Sequence, residues 1–193
     1  MFWQNVHQLD QQITLTINSW NSAFTDPIWT FLSLKLVWAP LYAAIIALMI
    51  WKLGWKKGLI VVGGVLLTIG FCDQFANLIK HATARIRPVN DEWMVAHGLN
   101  ILEWGGGFSF FSAHSANSFG LAASTIIGFR LDKRLKYNGY ATWMLLWATL
   151  VALSRIFVGK HYLGDILAGA MIGAAAGLLF ATVARLIIRR YIK

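Results

Sequence analysis

Residues 58–79 have the sequence GLIVVGGVLLTIGFCDQFANLI, in which Asp73 is the single charged residue. A helix needs about 20 predominantly apolar residues to cross the hydrocarbon core of a bilayer. Four other stretches have a similar character, at residues 27–51, 112–129, 139–153 and 163–188. The sequence therefore predicts an all-α integral membrane helical bundle with five spans.

Two of these spans are less regular than the others. Residues 27–51 contain Lys35 and Pro40, so this stretch either crosses once or divides into a short helix followed by a span. Residues 139–153 are short for a span and are expected to continue to Phe157. The remaining connections are brief except for residues 88–111, which are predicted to form one long loop on the outer side.

The first 20 residues have a different pattern. Apolar side chains recur there at spacings of three and four, at Phe2, Val6, Leu9, Ile13, Ile17 and Trp20. This periodicity predicts an amphipathic helix lying in the membrane interface. Its polar face has no basic cluster, so docking against the protein's own helices fits the pattern equally well. The expected architecture is one domain over residues 1–193, with five to six helices including this N-terminal helix.

The composition also favours a membrane protein over a soluble one. Of the 193 residues, 58% are hydrophobic and 13% are charged, and the mean hydropathy is +0.58. Soluble domains are nearer 25% charged. The single cysteine, Cys72, lies in an apolar run, which excludes a disulfide framework and suggests no cysteine-based metal site.

The net charge is +9, and the positions of the basic residues along the chain indicate the orientation of the spans in the membrane. Most basic residues form three clusters, which are Lys52, Lys56 and Lys57; Arg130, Lys133, Arg134 and Lys136; and Arg185, Arg189, Arg190 and Lys193. If the spans alternate in direction, all three clusters lie on one side, which the positive-inside rule makes cytoplasmic. The C-terminus is then cytoplasmic, and no nucleic-acid partner is needed to explain the charge.

Five basic residues break this rule, because they fall at the outward ends of the spans. They are Lys80, Arg85, Arg87, Arg155 and Lys160. Arginine forks and a lysine can surround a tetrahedral dianion, and Ser112 together with the helix N-terminus that follows it adds an anion site. Alternatively, these cations bind lipid headgroups or pair with Asp91, Glu92 and Glu103.

Two histidines and an aspartate fall at the same depth as these cations. His161 and Asp165 are four residues apart and share a helix face, so the carboxylate can fix the imidazole tautomer and leave the other nitrogen free to attack. His114, near the start of the third span, is placed to act as a general acid. No carboxylate or Cys/His cluster suggests a metal site or a cofactor.

These residues resemble the motifs of the type 2 phosphatidic acid phosphatase superfamily, whose pocket the soluble vanadium haloperoxidases share. The matching segments are Lys80 to Arg87-Pro88, Phe111-Ser112-Ala113-His114, and Ser154-Arg155 to His161 and Asp165. The middle segment departs from the family's Pro-Ser-Gly-His, because Phe111 and Ala113 replace proline and glycine. This departure leaves substrate preference as the most open property.

The resemblance implies a metal-independent lipid phosphatase with a phosphohistidine intermediate. In this scheme His161 attacks phosphorus, Asp165 orients it, His114 protonates the leaving group, and Lys80, Arg87, Ser112 and Arg155 hold the phosphate. The expected substrate is undecaprenyl diphosphate, followed by lipid A (at its 1- or 4′-phosphate) and then phosphatidylglycerophosphate. In a bacterium the site would face the periplasm from the inner membrane. Rival hypotheses are a vanadate-dependent haloperoxidase and a non-catalytic lipid-binding or transport protein.

Overall fold

The computed structural model describes residues 2–134 and 136–192. Within these ranges the chain forms eight α-helices. They are α1 (Phe2–Asn18), α2 (Asp26–Ser33), α3 (Ala39–Leu53), α4 (Trp55–Thr83), α5 (Glu92–Ala96), α6 (Ala113–Phe129), α7 (Asn138–Phe157) and α8 (Leu163–Tyr191). Short 3-10 helices occupy Leu36–Trp38 and Pro88–Asn90. The predicted all-α bundle is confirmed.

Four segments of the described chain are long and apolar enough to cross a membrane: Leu36–Leu53, Trp55–Thr83, Asn138–Phe157 and Leu163–Tyr191. The protein is therefore an integral membrane protein. The remaining predicted span, residues 112–129, corresponds to α6, whose 17 residues are at the short end of the spanning range. It is packed among the other helices, with much of its surface buried.

The stretch at 27–51 divides in two, as one of the two alternatives predicted. Helix α2 ends at Ser33, and α3 begins at Ala39. Pro40 lies in the first turn of α3, where a missing backbone N–H costs no hydrogen bond. The proline therefore starts the spanning helix instead of kinking it. Lys35 lies in the connection between the two helices and not inside a span.

Helix α1 presents three different faces. Gln11, Thr14 and Asn18 are buried against the protein. Trp3, Val6, Leu9 and Ile13 lie on an exposed apolar face, and a third face carries exposed polar side chains such as Gln4, Gln8 and Gln12. This arrangement combines both predictions for the N-terminus, because one face docks on the protein and another suits the apolar side of a membrane interface.

The docked face of α1 is held by hydrogen bonds to distant parts of the chain. The Asn18 side-chain amide donates to the carbonyl groups of Asn100 and Ile156, at 3.1 and 2.9 Å. Thr14 Oγ1 accepts a hydrogen bond from the Leu163 backbone N–H at 2.9 Å. Helix α1 thus lies against the beginning of α8 and the end of α7.

The segment predicted as one long loop, residues 88–111, contains a 3-10 turn and the short helix α5. Asp91 caps α5 by accepting hydrogen bonds from the backbone N–H groups of Trp93 and Met94, at 3.0 and 3.4 Å. The Asp91 carboxylate also accepts hydrogen bonds from the side chains of Gln11 and Tyr162. The segment is therefore more ordered than a simple connection.

The closest helix pair is α6 with α8. A Cβ atom at Gly173 would overlap the backbone carbonyl of Ala116, and one at Gly169 would press on the backbone carbonyl of Ser112. Gly177 of α8 similarly lies against Gly120 of α6. Small residues allow such close backbone approach between helices in lipid. The contact fixes the N-terminal ends of both helices side by side.

The two ends of the bundle carry different sets of residues. Helices α4 and α7 end, and α6 and α8 begin, at what we call the site end. The end of α3 meets the segment that follows α6 at the other end, where Arg134 Nη2 donates to the Lys52 carbonyl at 2.7 Å. This basic end carries the clusters that the positive-inside rule assigns to the cytoplasm.

The glycine contact between α6 and α8 makes a stability prediction. We expect Gly173→Ala to lower the free energy of unfolding by about 1–3 kcal/mol, because the added methyl group forces the two backbones apart. Gly63→Ala is the matched control, since a Cβ atom there meets nothing within 4 Å. Thermal unfolding in detergent, followed by circular dichroism, compares the two. Equal stability of both variants would contradict the close contact.

Candidate active site

His161 reaches its position through a tight reversal after α7. Gly159 has a φ of +81°, a left-handed conformation that glycine adopts without strain. The backbone N–H groups of Lys160 and His161 both donate to the carbonyl of Arg155, at 3.0 and 3.1 Å. His161 is thereby buried directly beside the end of the helix that carries Arg155, with 2% of its surface exposed.

Asp165 lies in the first turn of α8 and is completely buried. Its Oδ2 is 3.4 Å from His161 Nδ1 and accepts the Tyr162 backbone N–H at 3.0 Å. Its Oδ1 accepts a hydrogen bond from Arg85 Nη1 at 2.7 Å. The predicted His161–Asp165 pair is therefore present, with the carboxylate held by donors on both oxygens.

Arg85 is turned into the protein, where it bridges two carboxylates. Besides Asp165, it donates through Nη2 to Asp10 Oδ2 of α1 at 2.6 Å. Its guanidinium lies 4.0 Å from the centre of the Tyr162 ring. Burial opposes the charge, but Asp165 and Asp10 outweigh it and raise the pKa of Arg85. Arg85 thus links α1 to the carboxylate behind His161.

The bridge from Arg85 to Asp10 could not be found by sequence reasoning. Residues 10 and 85 are far apart in the chain, and Asp10 lies in an amphipathic segment with other polar residues. The one sequence signal was that Asp10 is the single carboxylate in a helix whose other polar side chains are amides, hydroxyls and His7.

Lys80, Arg87 and Arg155, which we call the cation cluster, come together at the site end. Lys80 and Arg87 interact electrostatically with each other and with Asp165. Arg155 interacts in the same way with Arg87 and His161. The Nε–H groups of Arg87 and Arg155 are both buried without a hydrogen-bond partner among the described residues. Two orphaned guanidinium donors beside a histidine are what an anion site requires.

Ser112 and His114 approach the cluster from α6. Ser112 is the N-cap of the helix, and its hydroxyl accepts the Ser115 backbone N–H at 3.4 Å. Its own N–H donates to the Asp165 carbonyl at 3.1 Å. His114, in the first turn, interacts electrostatically with His161 and Arg155. All seven residues predicted for the site therefore lie in one region, contributed by five different segments of the chain.

Residues of α2 and of the loop at residues 88–111 complete the wall of the site, and the motifs did not reveal them. Ser33 Oγ donates to Glu103 Oε1 at 2.5 Å and also hydrogen-bonds Arg155. Glu103 Oε2 is 3.1 Å from Lys160 Nζ and 3.7 Å from Arg155 Nη1. The alternative prediction, that these cations pair with acidic residues of the loop, is thus met by Glu103 with Lys160 and Arg155. Arg87 and Lys80 form no such ion pair among the described residues.

Burial sets the ionisation of the histidine that faces the cluster. It lowers the pKa of His161 to about 4, although the hydrogen bond to Asp165 opposes this shift. The neighbouring Arg155 and Arg87 charges act in the same direction as burial. The imidazole is therefore neutral near pH 7, and its Nδ1 proton directed at Asp165 leaves Nε2 with a free lone pair.

Residues 57–189, which include every motif residue of this site, match the family model of the PAP2 superfamily. The chain belongs to the PAP2 superfamily. The resemblance predicted from the three motifs is confirmed, and the protein is a phosphoric ester hydrolase of that superfamily. Within the described residues, no group of three or more His, Cys, Asp or Glu side chains is placed to hold a metal ion.

Individual PAP2 relatives support this assignment. The chain is 38% identical over 179 residues to the lipid A 4′-phosphatase of Bacteroides thetaiotaomicron, covering 91% of this chain and 77% of the relative. The lipid A 4′-phosphatase of Porphyromonas gingivalis is 29% identical over 174 residues, covering 88% and 70%. The fold matches the crystal structure of a PAP2-type phosphatidylglycerolphosphate phosphatase from Bacillus subtilis, with a TM-score of 0.74, 20% identity, and coverage of 97% and 89%.

The burial of His161 makes a titration prediction. A histidine whose pKa is lowered to about 4 stays neutral as the pH falls through 6.5 and gains its proton only near pH 4. Ring signals of labelled histidine in detergent, recorded by NMR between pH 3.5 and 8, would show this. The signal missing from His161→Gln identifies the residue. A midpoint near 6.5 for that signal would show that the imidazole is not buried.

The bridge from α1 to Asp165 makes a kinetic prediction. Asp10→Asn keeps an acceptor for the Gly164 N–H, which Asp10 Oδ1 binds at 2.9 Å, but removes the charge that holds Arg85. We expect kcat for phosphate release to fall roughly tenfold with little change in KM, since groups that orient a reacting side chain commonly have effects of 10–100-fold.

Asn18→Ala is the control for this experiment, because Asn18 also docks α1 but does not touch Arg85. It should lower the thermal stability while kcat stays near the wild-type value at temperatures well below unfolding. If both variants lose kcat equally, Asp10 acts only by docking α1 and not through Arg85.

Proposed function

We propose that this protein removes the 4′-phosphate from lipid A, through a phosphohistidine formed on His161. The observation that carries the chemistry is the buried His161–Asp165 pair facing two orphaned guanidinium Nε–H groups. The substrate rests on the similarity to lipid A 4′-phosphatases, one of them 38% identical over 91% of the chain. This evidence favours lipid A over the undecaprenyl diphosphate expected from the sequence.

In the first step, the Nε2 lone pair of His161 forms a bond to phosphorus. Asp165 accepts the hydrogen bond of the Nδ1 proton and stabilises the positive charge that develops on the ring. The bond between phosphorus and the leaving oxygen breaks as His114 gives that oxygen a proton. The products of this step are the dephosphorylated lipid, a phosphohistidine and a neutral His114.

In the second step, the neutral His114 accepts a proton from water, and the resulting oxygen nucleophile attacks the phosphohistidine. The bond between phosphorus and Nε2 breaks, which restores His161 and releases inorganic phosphate. His114 ends the cycle protonated, as it began. The same residue thus acts as acid in the first step and as base in the second, as microscopic reversibility requires of a single group beside the leaving oxygen.

Fixed positive charge stabilises both transition states. The guanidinium groups of Arg87 and Arg155 and the ammonium group of Lys80 face the equatorial oxygens of the phosphoryl group, where charge is spread during transfer. Ser112 and the first N–H groups of α6 add donors at a helix N-terminus, which favours an anion. Since these groups are held by burial and by helix ends, little reorganisation is needed during the reaction.

The sidedness of the bundle suggests where the reaction takes place. The basic end is cytoplasmic by the positive-inside rule, so the site end faces outward, which is the periplasm in a bacterium. Residues 1–193 act as one unit in this scheme, because α1, α2 and the outer loop all contribute to the walls of the site. In this scheme the cation cluster receives the phosphate of a lipid in the outer leaflet.

A phosphate-release screen tests the proposed function. Purified protein is given lipid A, undecaprenyl diphosphate and phosphatidylglycerophosphate in mixed micelles, with mass spectrometry to locate the phosphate lost. We expect loss of the 4′-phosphate of lipid A, and at least a 10³-fold lower rate for His161→Gln, in line with removal of a nucleophile.

The screen can contradict the proposal in two ways. Faster release from undecaprenyl diphosphate, or from the 1-position of lipid A, would replace the proposed substrate but keep the chemistry. Release that His161→Gln leaves unchanged would refute the phosphohistidine mechanism.

A further inference from the structure

A small cavity extends from His114 away from the cation cluster into the bundle. It has a volume of about 180 Å³ and lies between α3, α4, α6 and α7, with Tyr42, Leu121 and Val151 among its apolar lining residues. Asn117, also in its wall, is one turn further along α6 than His114, about 4.5 Å deeper. The cavity therefore begins at the proposed acid and continues towards the membrane interior.

One wall of this cavity is polar. Asn117 Nδ2 donates to Asp73 Oδ1 of α4 at 2.8 Å, and both residues line the cavity. Asp73 forms no ion pair among the residues that the structure describes. Asn117 Oδ1 is buried and likewise lacks a hydrogen-bond partner there. The pair thus keeps unused acceptors, and ionisable groups within spanning helices commonly mark a site of function.

Holding the helices together does not account for this pair. An interhelical hydrogen bond contributes only modestly to the stability of a membrane protein, and an uncharged pair supplies it as well. Helices α4 and α6 are already joined one to two turns deeper by Thr68 and Ser124, whose hydroxyl groups lie 3.2 Å apart. A carboxylate is therefore unnecessary for packing.

Lys35 supplies a donor at the same cavity. It lies in the connection between α2 and α3, and its charge interacts with His114 and Lys80. The cavity thus combines a cationic donor with the acceptors of Asp73 and Asn117. A group with both a carbonyl oxygen and an N–H or O–H matches that combination, whereas an alkyl or isoprenoid chain would offer no partner to Lys35 or to the unused acceptors of Asp73 and Asn117.

We propose that this cavity is a specificity subsite for the leaving group, and that it takes a hydroxyl- or amide-bearing sugar next to the phosphate. The inference rests on the proposed function, because His114 faces the leaving oxygen only if it is the general acid. The volume supports a single ring-sized group, since about 180 Å³ equals roughly six water volumes of ~30 Å³ each. The acyl chains of the substrate stay in the bilayer.

The test compares two lipids that differ in the proposed contact. Lipid A carries a sugar beside its phosphate, while hexadecyl phosphate has only an alkyl chain there. The double variant Asp73→Leu with Asn117→Leu removes both partners, so no unpaired charge is left buried. We expect the ratio of kcat/KM for lipid A to that for hexadecyl phosphate to fall at least tenfold.

Thr125→Val is the matched control for the double variant. Thr125 is a buried polar residue of α6 whose hydroxyl bonds the carbonyl of Leu121 in its own helix, and it does not line the cavity. It should keep the wild-type ratio. If the double variant lowers kcat/KM for both lipids equally, the pair is structural and the proposal is wrong.

A binding arm separates this inference from the proposed function. In the His161→Gln background, dephosphorylated lipid A is titrated against protein with and without the double substitution. The intact pair should bind at least tenfold more tightly, and equal affinities would overturn the subsite. If phosphate is released from neither lipid, the proposed function fails, and the binding arm alone decides the role of the cavity.

Discussion

The close backbone contact between α6 and α8 is the constraint on which the site depends. Without a side chain at Gly169 or Gly173, the two helices approach until backbone touches backbone, and their first turns lie side by side. The Ser112 N–H then reaches the Asp165 carbonyl at 3.1 Å. Two helix N-termini, with their positive dipole ends, thereby point into the region where the arginines gather. Bulkier residues at these two glycine positions would move His114 and His161 apart, even though no catalytic side chain had been changed.

Much of this architecture could be predicted from sequence, because its signals are local. Length and hydropathy indicate the spans, and basic residues after alternate spans indicate their direction. The His161–Asp165 pair follows from helical spacing across a single turn. The division near Pro40 was predicted only as one of two alternatives, since a proline in an apolar run can either begin a helix or bend one.

The contacts that the sequence did not reveal join residues far apart in the chain. Periodicity indicates that α1 has an apolar face, but not which remaining face docks or on what. Arg85 was one of five outward cations, and nothing local shows that it turns towards Asp10 and Asp165. The same is true of Ser33 and Glu103 against Arg155. The substrate could not be predicted from the motifs for a related reason. The motif residues bind the phosphate, and the same residues can bind a phosphate attached to many different alcohols.

The three-faced helix α1 has a consequence for how such enzymes diversify. The segment that matches the superfamily begins at residue 57, yet Asp10, Ser33 and Lys35 all precede it. Changes in the first two helices can therefore reshape the walls of the site, provided that the contacts of Asp10 with Arg85 and of Ser33 with Arg155 are kept. The same catalytic residues can in this way act on a different lipid when the first two helices are exchanged. A hybrid protein then takes part of its substrate selectivity from the parent that supplied those helices.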